Sequence, residues 1–152
     1  MLLMNNVGLN SGFMIPQYTT AALVTENKTL CFPSSADSIP TSLGQEDHVS
    51  MGSISGRKLN RVIDNLEYIL AIELLCACQA IEFRRPLQSS SILEFAHEYV
   101  RRFVGFAEED RIFANDINQI TTIISDFSFV KNVNEFAASK AIELNKGFED
   151  FN

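Results

Sequence analysis

Apolar residues recur through the middle of this chain at the 3, 4, 7 spacing of one helical face: Leu59, Val62, Ile63, Leu66, Ile69, Leu70 and Leu74. The spacing predicts a long helix over about residues 49–84. Arg84-Arg85-Pro86 ends it, because proline disfavours helical geometry in the residue before it. From Ile69 the pattern changes: ILAIELLCACQA is apolar on nearly every side, with Glu73 its only charge. A helix apolar all round must be surrounded. The other helices of so small a chain can hardly enclose it, which points to burial between subunits or against parts of a larger protein. The alternative is the central helix of a small bundle.

The remaining pattern is also helical. A first helix is expected from about residue 10 to 29, with Ser11 as a cap, Pro16 tolerable in the first turn, and Ala21, Ala22, Leu23 and Val24 well inside. Residues 31–44 carry Pro33, Pro40, Gly44 and several serines. They predict an ordered loop, for which Phe32, Ala36 and Ile39 offer apolar anchors. Further helices are expected over about 89–105, over 115–127 with Ile117, Ile120, Ile123 and Ile124 in register, and over 134–145 closed by Gly147. No run alternates as a strand does, and no segment repeats. The predicted fold class is all-α.

Composition narrows the function. With 152 residues the chain can bury one sizeable core. A net charge of −7 argues against nucleic acid and against an anionic membrane surface as partners. The longest nearly uncharged run, 69–81, is shorter than the ~20 residues that span a bilayer. MLLM lacks the length and basic flank of a signal peptide, so a cytoplasmic location is expected.

Cys31, Cys76 and Cys78 fit a reducing compartment. On a helix, Cys76 and Cys78 point to roughly opposite sides, and only His48 and His97 could join them, so no metal site is expected. Arg57, Lys58 and Arg61 form a short basic stripe, expected to be a solvated or subunit-facing surface. Ser34, Ser35 and Ser38 lack histidine and aspartate partners for nucleophilic chemistry.

The densest chemistry lies in PTSLGQEDHVSMG, from Pro40 to Gly52. Asp47 sits near the expected start of the long helix, where a carboxylate satisfies free N–H groups. His48, beside Glu46, is expected to make a structural hydrogen bond. Glu46 is the reactive candidate. At the mouth of an apolar bundle, desolvation disfavours its charged form, which suits it to exchange protons near neutrality or to hold an ammonium group as a counter-charge. On residue type alone, a solvated loop acid is the other reading.

Several linked stretches change that balance. NVGLNSGFMI, ALVTENK, PTSLGQEDHVSMGS and NLEYILAIELLCACQAIEFR, in this order and spacing, resemble the later part of the aromatic amino acid lyases, in their histidine ammonia-lyase branch. The resemblance is strong from Val7 to about Pro86 and looser beyond. It implies the C-terminal part of an elongated, fumarase/aspartase-like helical bundle. Residues 1–86 would supply central-bundle helices and an active-site loop, and residues 87–152 the C-terminal helices. It further implies a homotetramer with active sites shared among three subunits. It also implies elimination of ammonia from an aromatic amino acid by a methylidene-imidazolone (MIO) electrophile, formed when an internal Ala-Ser-Gly cyclises.

The Glu46 position is the catalytic residue that the resemblance places in this chain, engaging the substrate amine or moving a proton. A glutamine stands there in the phenylalanine-specific branch, so glutamate favours histidine as substrate, giving urocanate. The alternative is a bacterial tyrosine-using relative giving coumarate, which the wording MIPQYTTAAL and the Leu43-Gly44 pair resemble. Ala-Ser-Gly is absent: Ile54-Ser55-Gly56 and Asn10-Ser11-Gly12 share two letters only. So are the family's upstream tyrosine and its Asn-Phe-His-Gly stretch. The sequence therefore looks like the C-terminal piece of a longer enzyme, inactive alone and completed by the missing upstream part. An expectation of a different class is a non-catalytic assembly or complementation module, or a gene remnant.

Overall fold

The computed structural model describes residues 3–6, 8–46, 48–50 and 52–144. Among them the regular elements are α1 (Met14–Leu30), a single 3₁₀ turn (Ser42–Gly44), α2 (Gly52–Glu82), α3 (Ser91–Arg101), α4 (Phe113–Ser125) and α5 (Ser128–Ser139). The fold is all-α. The one extended pairing among these residues is an isolated bridge between Thr41 and Glu46.

Helix α2 is the axis of the structure. Helices α1 and α4 lie along it and α3 meets it, while α5 covers α3 and α4. Ala71, Ile72, Leu75 and Cys78 of α2 are buried with Val100 of α3 and Ile117, Ile120 and Ile123 of α4. Phe13 and Phe113 extend this core, their ring centroids 4.7 Å apart. The 3.6-residue period predicted for α4 thus maps directly onto its buried face.

Where helix ends differ from expectation, the cause is specific. Ser11 does not cap α1. Its N–H and that of Gly12 instead donate to the Asp110 carboxylate at 2.7 and 2.8 Å, and Asn10 Oδ1 accepts the Asp110 N–H. The loop after α3 thereby clasps the segment leading into α1. Helix α2 is described from Gly52 rather than 49, and Asp47 lies outside the described residues, as does Gly147. Helix α5 begins at Ser128, not 134. Phe127 turns the chain in the left-handed region (φ 60) and Asp126 Oδ1 accepts the Ser128 N–H at 2.8 Å, so α4 and α5 are almost contiguous. At the head of α3, Ser90 Oγ accepts the Leu93 N–H.

Helix α2 has two unlike faces. The inward face carries Asn65, Ala71, Ile72, Leu75, Cys78 and Gln79. Its buried polar groups are partnered: Gln79 donates to the carbonyls of Ala107 and Leu3 and accepts the Ala107 N–H, while Asn65 donates to Glu26 and Asn27 of α1. The outward face carries the apolar stripe predicted from the sequence. Leu59, Ile63, Leu66 and Leu70 are 57, 44, 47 and 42% exposed. The stripe is helical as predicted; Val62, Ile69 and Leu74 are half-buried, with Leu74 packed against the core, while Leu59, Ile63, Leu66 and Leu70 stay exposed.

Candidate functional site

Glu46 closes a tight loop before α2. Its N–H donates to the Thr41 carbonyl at 3.3 Å, and its carbonyl accepts the Thr41 N–H at 2.9 Å. Between them the chain turns left-handed for three residues in succession, Ser42 (φ 53), Leu43 (φ 59) and Gly44 (φ 87). Gly44 N–H and Gln45 N–H close the turn onto Thr41 and Ser42. The main chain of Glu46 is therefore fully engaged, while its side chain is exposed and bonds to no other described residue. The described residues place the carboxylate but leave it exposed, so the apolar mouth expected around it is not built from them.

The neighbouring expectations fare unequally. His48 is exposed and makes no hydrogen bond to a described residue. Phe32 and Ile39 are 68 and 67% exposed and Ala36 is exposed too, so they do not anchor the 31–44 loop within this chain. The loop is held by polar contacts: the Lys58 ammonium donates to the Phe32 carbonyl, and Ser38 Oγ accepts the Val49 N–H at 2.9 Å. Arg61 of the basic stripe pairs with Glu26 of α1 at 3.1 Å, whose carboxyl is held below its usual range by that bond and by Asn65.

Among the described residues no group of three histidine, cysteine or acidic side chains could hold a metal. All three cysteines are free. Burial pushes the Cys78 thiol up to about 11, and burial with the nearby Glu73 carboxylate raises Cys76 as well. Cys31 is exposed.

A second polar cluster, missed by sequence reasoning, lies at the far end of α2. His97 Nε2 is 3.0 Å from Glu82 Oε1, Arg101 Nε is 3.3 Å from the same oxygen, and Arg85 pairs with Glu94 at 2.8 Å. It ties the ends of α2 and α3 together. Only its spacing on two predicted helices could have hinted at it. A mainly apolar cavity of ≈ 470 Å³ lies beside the start of α1, lined by Ile15, Pro16, Tyr68, Ile112, Phe113 and Ile117 among others. Glu46 does not line it.

The all-α scaffold built on one long helix is the architecture that the resemblance to the aromatic amino acid lyases implies. Residues 1–102 match the family model for aromatic amino acid lyases, and the chain belongs to that family. More particularly, it is 51% identical over 127 residues to a histidine ammonia-lyase of Desulfotalea psychrophila, covering 84% of this chain and 25% of the relative. It is 50% identical over 131 residues to that of Natranaerobius thermophilus, covering 86% and 26%. The fold superposes on histidine ammonia-lyase from Trypanosoma cruzi with a TM-score of 0.85 at 49% identity, over 89% of this chain and 27% of that one. Tyrosine aminomutase from Streptomyces globisporus gives 0.81 at 36% identity, over 94% and 26%. The chain spans about a quarter of the length of the relatives it matches.

Proposed function

We propose that this chain is the C-terminal portion of a histidine ammonia-lyase, which eliminates ammonia from histidine to give urocanate. The observation that carries this reading is the roughly one-half identity to histidine ammonia-lyases over more than four-fifths of the chain. Glu46 is the residue this portion contributes to the reaction. A carboxylate whose main chain is fixed and whose side chain is free can receive a substrate ammonium group or exchange a proton with it. Enclosure by other segments would desolvate it and strengthen both roles.

The self-derived MIO electrophile does not fit this chain's own residues. Ser55-Gly56 lies inside the regular helix α2, and the N–H groups of Ser11 and Gly12 are both committed to Asp110. The electrophile therefore comes from outside this sequence. In the same reading residues 1–86 supply central-bundle helices and an active-site loop, residues 87–152 supply the C-terminal helices, and the protein works in the cytoplasm. No helix among the described residues is long and apolar enough to cross a membrane. The exposed stripe Leu59, Ile63, Leu66 and Leu70 is the surface by which α2 joins helices of other subunits or of the upstream part, completing a homotetramer. The higher identity to the solved histidine enzyme than to the solved tyrosine aminomutase favours histidine as substrate.

The test is urocanate absorbance from histidine, measured on this chain assembled with its upstream segments. Turnover is expected, with Glu46→Gln reducing kcat by about a hundredfold or more, the scale of a lost acid–base group. Unchanged turnover in Glu46→Gln, or turnover of tyrosine in preference to histidine, contradicts the reading.

A further inference from the structure

The turn before Glu46 contains more than a connection needs. Three successive residues occupy the left-handed region, and two of them, Ser42 (φ 53) and Leu43 (φ 59, ψ 28), are not glycine. Residues with a Cβ enter that region at a cost; glycine visits it routinely, asparagine and aspartate occasionally, and then as single residues. Nothing packs Leu43 into place either: its side chain is fully exposed. Yet the turn is tightly closed. The Thr41 carbonyl accepts from both Gly44 N–H (3.0 Å) and Glu46 N–H (3.3 Å), and the Thr41 N–H returns to the Glu46 carbonyl (2.9 Å). Thr41 is the clasp, and the length of the left-handed segment sets where Glu46 leaves it.

We propose that the left-handed turn Ser42-Leu43-Gly44 is a positioning device for Glu46, with Leu43 and Gly44 as positioning residues. This rests on the lyase reading, because it assigns the turn a role only through the Glu46 carboxylate. The physical case is one of over-determination. Strained backbone persists where its surroundings fix it, and such strain concentrates where a side chain must be held in one direction. Here both main-chain polar groups of Glu46 are consumed by Thr41, so the carboxylate can move only by side-chain rotation. A relaxed right-handed turn of the same length would re-aim the Cα–Cβ bond of Glu46, and misplacement by about 1 Å is enough to cost a positioned group a hundredfold in rate.

The structure also offers a clean substitution. A Cβ added to Gly44 meets nothing within 4 Å, so Gly44→Ala tests backbone conformation without a clash. Leu43→Val puts a β-branched residue where it is a true outlier, whereas Leu43→Asn introduces a side chain that tolerates the left-handed region.

The experiment is kcat and KM for histidine in the assembled enzyme, for the unmodified protein, Gly44→Ala, Leu43→Val, Leu43→Asn and Glu46→Gln. Gly44→Ala and Leu43→Val are expected to lose roughly ten- to a hundredfold in kcat, with assembly unchanged by gel filtration. Leu43→Asn should stay within about threefold of the unmodified enzyme, a rescue that mere loss of a leucine contact would not give. If Gly44→Ala and Leu43→Val keep full kcat while Glu46→Gln loses it, the positioning role is overturned and the lyase reading stands. The role is overturned equally if Leu43→Asn falls as far as Leu43→Val. If Glu46→Gln is as active as the unmodified enzyme, the reading itself fails and takes this proposal with it.

Discussion

The two ends of helix α2 are built on opposite principles. At its C-terminal end, Gln79 is enclosed with three hydrogen bonds, and Glu82, His97, Arg101 and Arg85 form a half-buried ionic cluster that joins α2 to α3. At its N-terminal end, Glu46 is exposed, its carboxylate bonded to no other described residue, and the apolar stripe beginning at Leu59 faces outward. One end is paired almost entirely within this chain, with the buried Arg101 Nη2 left over, and the other is exposed. The difference lies in where partners are found: the ionic groups at one end pair within this chain, apart from that one nitrogen, whereas the Glu46 carboxylate and the exposed leucines at the other fit the proposed completion by other segments.

The comparison breaks first at its largest contrast. Leu75 is buried on the inner face of α2, and Leu75→Ala should destabilise this chain by about 2–5 kcal/mol in urea unfolding, as a transfer and cavity cost. The same change on the outer face, Leu66→Ala, should cost under about 0.5 kcal/mol in this chain, yet behave as a core substitution once the chain is assembled. Equal effects at the two positions would erase the distinction between the faces. Next in size is Gln79→Leu, which strands the N–H and carbonyl of Ala107 and should cost about 1–3 kcal/mol.

Smaller effects sharpen the same contrast through pH. Glu94 is held below its ordinary value by the Arg85 guanidinium and the Ser89 N–H. The folded chain therefore binds that proton less readily than the unfolded chain. The stabilisation is present above the ordinary value of 4.5 and is lost as pH falls below it. Glu94→Gln should flatten that acid limb in pH-dependent thermal unfolding, an effect kept small by the partial solvent access of the Arg85–Glu94 pair.

The smallest signal is chemical. With a thiol-reactive disulfide reagent at neutral pH, exposed Cys31 should react first, Cys76 slowly, and Cys78 last, its thiol pushed to about 11 by burial. Reaction of Cys78 as fast as Cys31 would mean that the inner face of α2 is open.

Much of this architecture was legible in the residues. The isoleucines of α4 announced a buried face, and Ile117, Ile120 and Ile123 form it. Leu59, Ile63, Leu66 and Leu70 of α2 announced a helical face equally well, but periodicity says that a face exists and not what covers it, so their outward direction appeared only in the structure. The Asp110 clasp escaped notice because its partners, Ser11 and Gly12, lie a hundred or so residues away in sequence and backbone N–H groups leave no mark on it. Phe127, left-handed between α4 and α5, carries no propensity signal for that conformation, and the start of α5 was misplaced as a result. Glu46 is proposed from the wording of its segment and not from any physical period. The left-handed geometry at Ser42 and Leu43 had no signal beyond the glycine that follows them.

The central claim is that the Glu46 end of α2 is completed by segments outside this chain. Its most direct test is urocanate formation from histidine by the purified chain, alone and after assembly with the upstream polypeptide. The account predicts no turnover by the chain alone and clear turnover on assembly. Turnover by the chain alone would contradict it.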